Sequence, residues 1–310
     1  MAGISQPSDE PPRISAIVPS YNSAATLGAV LDALLAQVPA LHEILVADSS
    51  DDPAALALLE RYAARGVRRI PLPTRTPPSP ARNAGAKAAT GAWLAFVDAD
   101  APPRPDWSRQ LQQVIAAGHR VGGGSLRLAD RQRGTPIAAA QYFLQFNEFL
   151  PILRPRRATF TPSANLFCER ELFFAVGGFP DIRASEDVAF GHAVGKHAPF
   201  GFFPELCVDH IFRTEARSIA ANQRMLGSYA YAWRNAAPEG FFCRGSRAKW
   251  LWPLVAAAKA LRIGLRVVRA GDLGYLGRFV IALPWFVWGT WHWGRGFGEG
   301  PTVTVTTPLR

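Results

Sequence analysis

Between residues 14 and 100, short apolar runs alternate with stretches whose apolar positions recur at helical spacing. Ile14-Ser-Ala-Ile-Val18 is an apolar, β-branched run stopped by Pro19, the pattern of a buried strand. Leu27, Val30, Leu31, Leu34, Leu35 and Val38 follow the i, i+3, i+4, i+7 rule, one face of a helix with Ser23 as its N-cap. A second buried strand is predicted at Glu43-Ile-Leu-Val-Ala47, ending in Asp48. A helix from about Pro53 carries Leu56, Leu59, Tyr62 and Ala63, and another strand is expected over Val67–Leu72. Beyond a proline-rich loop a helix begins near Ala81, and the strand Ala92–Val97 runs into Asp98-Ala99-Asp100. Strand and helix alternating at this spacing imply right-handed βαβ units, hence an α/β fold with a mainly parallel central sheet flanked by helices.

In open sheets of this kind ligands gather outside the carboxyl ends of the strands. Ser20 with Tyr21, Asp48, and Asp98 with Asp100 all fall at such ends. The first strand leads into Pro19-Ser-Tyr-Asn22 rather than a G-x-G-x-x-G turn, which disfavours a dinucleotide-binding dehydrogenase.

After about Gly240 the pattern changes. Trp250–Leu261 and Phe279–Trp291 are apolar and tryptophan-rich, and Pro284 interrupts the second before His292 ends it. A bilayer span needs about 20 apolar residues. The two segments therefore read as interfacial or re-entrant helices, the alternative being a hydrophobic pair packed on the domain. Charge sharpens this. The 310-residue chain has a net charge of +10, and from Phe241 to Gly300 nine arginines and lysines face only Asp272 and Glu299. Basic residues interleaved with tryptophan fit an anionic bilayer surface better than nucleic acid.

The organisation expected is a polar, proline-rich and disordered leader over 1–12, without a signal-peptide core; an α/β domain over 13–240; and a basic, Trp-rich membrane-associated helical region over 241–310. Hydrophobic residues at 48% against 19% charged supply a sizeable core and exclude general disorder. Cys168, Cys207 and Cys243 are few and widely spaced, which suits a reducing compartment on the cytoplasmic side of a cell membrane, with peripheral or re-entrant attachment.

Two acidic pairs carry the candidate chemistry. Asp98-x-Asp100, where the chain leaves extended geometry, can converge two carboxylates on one divalent cation; the plainer reading is a pair of turn residues before Pro102 and Pro103. Glu186-Asp187 opens a helix over Val188–Val194, where negative charge suits the dipole. Like-charge repulsion within that pair can also raise a carboxyl pKa toward the value a general base needs. His210, in Asp209-His-Ile-Phe-Arg213, follows the strand-like Leu206-Cys-Val208 and is either a metal ligand or a structural histidine.

In order and spacing, Ile17-Val-Pro-Ser-Tyr-Asn22, Glu43–Asp48, Pro80-Ala-Arg-Asn-Ala-Gly85, Thr90-Gly91 and Phe96-Val-Asp-Ala-Asp100 resemble the family 2 glycosyltransferases. Gly177-Gly-Phe-Pro-Asp181 and Ser185-Glu-Asp-Val188 extend the resemblance, which covers roughly residues 13 to 235. It implies a Rossmann-like GT-A fold and inverting transfer of a sugar from a nucleotide-sugar donor, dependent on Mn2+ or Mg2+. By the same resemblance Pro19 and Tyr21 line the nucleotide pocket, Asp48 bonds the base, Arg82 lies near the base or diphosphate, Asp98 meets the ribose or the metal, and Asp100 is the direct metal ligand. Asp187 is implied as the base, with Glu186 beside it on the acceptor side; His210 can complete the metal site and Arg213 can reach the diphosphate. Read alone, Asp48 is equally a strand-end turn residue, and Arg82 a solvated helix-start arginine.

One departure is the loop Asp48-Ser-Ser-Asp-Asp52, which lacks the glycine usual there and leaves the preferred base open. The aromatic-rich Gln141–Phe149 and the C-terminal region point to a membrane-linked lipid or glycan acceptor. A nucleotidyltransferase would need a glycine-rich, basic phosphate loop where Pro19–Asn22 stands. A phosphate-binding membrane protein without transferase activity accounts for the charge but not for the acidic pairs, and a nucleic-acid partner is not expected.

Overall fold

A computed structural model describes residues 11–182, 184–236 and 249–300, with side chains in the stretch 184–236 described through Ala232. Residues 1–10 of the expected leader, and 241–248 and 301–310 of the expected C-terminal region, lie outside the described residues. The chain divides into two compact units. The first comprises residues up to 125, 154–179 and 190–208; the second comprises 126–153, 180–189 and 209 onward.

The first unit opens with the alternation the sequence predicts: β1 (Ile14–Ser20), α1 (Ala24–Leu35), β2 (Glu43–Asp48), α2 (Pro53–Ala63), β3 (Val67–Pro71), α3 (Pro78–Ala88), β4 (Trp93–Val97) and α4 (Trp107–Ala116). β1 pairs in parallel with β2 on one side and β4 on the other, and β2 pairs in parallel with β3. Beyond Ile17 only β2 still pairs with β1, so the strand runs through Pro19, whose missing N–H no longer interrupts a two-sided ladder. α3 starts at Pro78, three residues earlier than its apolar pattern suggests, because prolines in a first turn forfeit no helical hydrogen bond.

The remaining strands are β5 (Val121–Leu128), β6 (Arg156–Arg157), β7 (Asn165–Glu169) and β8 (Gly201–His210), giving the order β3-β2-β1-β4-β7-β5-β8-β6. The parallel half is as expected, whereas β4–β7, β7–β5 and β8–β6 pair antiparallel. Ile17, Leu45, Leu94, Phe96, Leu166 and Phe173, among others, form the core beneath the sheet. Gly85 lets α3 lie on β1, since a Cβ there would meet Ile17 Cγ2 at 2.5 Å.

The second unit is helical: α5 (Pro136–Phe146), α8 (Ala216–Ala236), α9 (Trp252–Arg269) and α10 (Leu273–Glu299), with the start of α7 (Glu186–Val194). A short helix, α6 (Arg170–Ala175), belongs to the first unit. α9 and α10 run longer than the apolar segments predicted for them, and no helix among the described residues is long and apolar enough to cross a membrane.

Candidate functional site

Parallel pairing brings the carboxyl ends of β1, β2 and β4 to one edge of the sheet. Ser20 stands opposite Asp48, and Ile17 opposite Phe96, so Asp98 emerges level with Pro19. With neighbouring strands about 4.8 Å apart and β1 between them, Asp48 and Asp98 stand roughly 10 Å apart.

Asp48 is fully buried, and its carboxylate is bound on both oxygens. Oδ1 accepts from Ser50 Oγ (2.6 Å), and Oδ2 is paired with the Arg69 guanidinium from β3 (2.9 Å). The loop after it lacks glycine, yet Asn22 holds it in place. Asn22 Oδ1 accepts from the backbone N of Asp51 and Asp52 (3.1 and 3.0 Å), and Nδ2 donates to Asp51 Oδ1 (2.8 Å). Asn22 adopts φ +49°, a conformation in which asparagine is several-fold enriched. Tyr21 is exposed and its hydroxyl accepts from Arg75 Nε (3.0 Å). Ser23 stands at the N-cap of α1 as expected, but its Oγ donates to the Tyr21 carbonyl (3.2 Å) instead of capping the helix.

Arg82 is not the solvated helix-start arginine of the plainer reading. It is buried in α3, and Nη2 donates to Asp98 Oδ1 at 2.5 Å. The next residue, Asn83, clasps the backbone of Phe179 through both amide atoms (2.7 and 3.0 Å). The Pro80–Gly85 segment thus performs three tasks in sequence: a charge on Asp98, a clasp on Phe179, and close packing on β1.

After Asp100 the chain turns at once to β8. Pro103 bridges Val208 antiparallel, and Arg104 N donates to Cys207 O (3.0 Å). Asp98, Asp100 and His210 each offer one ligand atom, all within 4.8 Å of one another; the two carboxylates are partly exposed, whereas His210 is only 9% exposed. Two carboxylate oxygens and an imidazole nitrogen suit a divalent cation of the Mn2+ type. The His210 ring lies against Phe212 (4.4 Å between centroids) and Phe146 (5.1 Å), which restricts its rotation.

In the second unit, Glu186 and Asp187 form the first turn of α7, half-buried. Ser185, immediately before them, has φ +67°, and Asp187 Oδ1 accepts from Val188 N (2.8 Å). Arg213 is exposed, with Nη1 3.5 Å from Ser218 Oγ on α8. Sequence reasoning missed Arg69, Ser50, Asn22, Arg75 and Asn83. Asn22, Ser50 and Asn83 lay within segments already singled out, whereas Arg69 and Arg75 meet partners 21 and 54 residues away.

The model of glycosyl transferase family 2 matches residues 15–174. The succinoglycan biosynthesis protein ExoO of Rhizobium meliloti (strain 1021) is 35% identical over 119 residues, covering 38% of this chain and 34% of that protein. The pre-mycofactocin glycosyltransferase of Mycobacterium tuberculosis (strain H37Rv) is 28% identical over 217 residues, covering 66% of this chain and 43% of that protein. The chain thus spans less than half the length of either relative. Among solved structures, the mannosyltransferase PcManGT from Pyrobaculum calidifontis, in complex with GDP-Man and Mn2+, superposes with a TM-score of 0.61 at 18% identity, over 94% of this chain and 87% of that one. At that identity the likeness establishes the fold.

Proposed function

The chain belongs to glycosyl transferase family 2, and from that premise we propose that it moves a sugar from a nucleoside-diphosphate donor to a hydroxyl on a membrane-linked lipid or glycan, on the cytoplasmic side, with inversion at the anomeric carbon. The observation that carries this reading is the Asp98–Asp100–His210 group at the carboxyl edge of the sheet. A structural relative described with GDP-Man and Mn2+ supports the assignment of donor class and metal.

In this reading Asp100, Asp98 and His210 hold a divalent ion, Mn2+ or Mg2+, which when bound supplies positive charge for the departing diphosphate. Arg82 fixes the Asp98 carboxylate in place and adds a buried positive charge beside it. The nucleoside lies along the edge formed by Pro19, Tyr21 and Asp48. With both oxygens of Asp48 already engaged by Ser50 and Arg69, its carboxylate is rigid and its orientation preset, which lowers the entropy lost when a base docks. Arg213 follows β8 and offers a second guanidinium for phosphate. Asp187 takes the proton from the acceptor hydroxyl, with Glu186 beside it on the acceptor side. Ser185, held in a left-handed conformation, sets the angle at which that pair leaves the loop.

Measuring sugar transfer from labelled nucleotide-sugar donors to membrane-extract acceptors tests the reading. Asp187→Asn should abolish transfer while leaving donor affinity within about threefold, since the base acts only as the acceptor oxygen attacks. Full transfer by that variant would remove Asp187 from the mechanism, and transfer of a nucleotidyl group instead of a sugar would favour the nucleotidyltransferase alternative.

A further inference from the structure

Both helices of the α9–α10 hairpin are apolar on two faces. The inner faces, with Ile263 and Val267 on α9 and Tyr275, Phe279 and Phe286 on α10, join one core with α5. The outer faces therefore point away from that core, toward solvent. On α9, Leu254, Leu261, Leu265 and Val268 are 42–67% exposed and fall within about 60° of one another at 3.6 residues per turn. On α10, Leu273, Val280, Val287 and Trp291 are 54–83% exposed and fall within about 40°, a stripe roughly 27 Å long. A soluble surface rarely leaves two such rows uncovered.

Charge identifies what covers them. α9 contains no acidic residue, and the exposed Arg262 and Arg269 border its outer row. The exposed Arg295 continues the α10 row toward its end. The acids nearby are outnumbered: Glu148 is shared by Arg262 and Arg266 (3.8 and 3.1 Å), Glu299 is shared by Arg224 and Arg295, and Asp272 caps α10 by accepting from Tyr275 N (2.9 Å). Apolar rows edged by a net excess of cations match a surface that is apolar below and anionic above, which a protein partner would offer only with an equally apolar patch ringed by acids. Neither helix is long and apolar enough to cross a bilayer.

We propose that the outer face of the α9–α10 hairpin docks the protein on an anionic lipid surface, with the apolar rows at the acyl boundary and the arginines among the headgroup phosphates. This docking stands apart from the transfer chemistry and holds whatever the donor is.

Flotation of the full chain with phosphatidylglycerol–phosphatidylcholine vesicles, and with phosphatidylcholine vesicles alone, tests it. The anionic vesicles should carry the protein and lose it as salt rises. The double substitution Leu261→Glu, Leu265→Glu should weaken partitioning at least about tenfold, because two exposed leucines that the lipid would cover become charges in the interface. Arg262→Gln with Arg269→Gln, two exposed positions that leave the core intact, should weaken binding to the anionic vesicles alone. The second pair decides the matter if the glutamate variant loses its far-UV circular dichroism. Failure to float, equal binding to neutral vesicles, or binding indifferent to both variants overturns the proposal. So does a dimer in sedimentation velocity that the glutamates dissolve while vesicle binding is absent.

Discussion

Replacing Arg82 by methionine removes one charge from the acidic edge while keeping the hydrocarbon stem that lies near the Phe179 ring (5.8 Å from the guanidinium carbon). The Arg82 side chain is 4% exposed and that of Asp98 27%, with 2.5 Å between the paired atoms. Opposite charges whose centres lie about 4 Å apart attract by about 4 kcal/mol at an effective dielectric near 20. Breaking a fully buried pair costs about 3–5 kcal/mol, because the survivor is stranded. Water reaches the exposed part of Asp98 and recovers some of that, which leaves about 2–3 kcal/mol. For a domain of this size the melting temperature should fall by roughly 5–10 °C. The second half of the prediction is specific to the site. Without Arg82, Asp98 and Asp100 repel each other, so Mn2+ should raise the melting temperature of Arg82→Met by more than that of the unaltered protein. Circular dichroism melts in EDTA and in Mn2+ read both quantities. A fall of less than about 1 °C, the behaviour of an exposed ion pair, would refute the burial reasoning, and equal Mn2+ shifts would refute the claim that the carboxylates share a cation.

Two further outcomes follow from the same structure. Burial opposes the charge on Glu43, but hydrogen bonds from Thr90 N and Ser15 Oγ (2.6 and 2.7 Å), together with Arg68, outweigh it and hold its carboxyl below the ordinary glutamate range. A depressed folded-state pKa stabilises the protein fully above the unfolded value and loses that contribution as pH falls through the folded one. The melting temperature should therefore drop on acidification below about pH 4.5, and Glu43→Gln should be less stable at neutral pH with a shallower acid limb. Gly124→Ala sets a methyl 1.7 Å from the Leu206 carbonyl and 2.5 Å from Asn165 Nδ2, so soluble yield should collapse or the unfolding free energy from urea titration fall by about 3 kcal/mol or more; a stability within about 1 kcal/mol of the parent would mean that β5 and β8 can separate at little cost.

The parallel half of the sheet was readable because each strand is a continuous apolar run and each helix keeps a regular apolar stripe. Of the antiparallel half only Leu206-Cys-Val208, within β8, was legible as a strand. β5 contains Gly122-Gly123-Gly124, which resembles a loop in sequence; these glycines are there because Gly201 O, Asn165 O and Leu206 O approach where side chains would stand. Asp98 and Asp100 stood out from their place at a strand end. The arrival of His210 beside them depends on the Pro103–Val208 bridge, a pairing between residues more than a hundred positions apart that no local pattern encodes. The missing glycine after Asp48 looked like a defect in the loop, and the compensation by Asn22 comes from a different strand end. Arg82 was assigned to the donor, and its bond to Asp98 shows what one sequence position cannot: which neighbour a buried guanidinium meets.

Sugar transfer as proposed requires that Asp98, Asp100 and His210 bind a cation that in turn anchors a diphosphate. Melting curves of the unaltered chain and of Asp100→Asn, taken across a panel of nucleoside-diphosphate sugars with and without Mn2+, measure this most directly. At a donor concentration 100-fold above its dissociation constant, stabilisation should reach about 2.7 kcal/mol, appear only when Mn2+ is present, and vanish in Asp100→Asn. A donor that stabilises equally in EDTA, or an Asp100→Asn variant that retains the full metal-dependent shift, would contradict it.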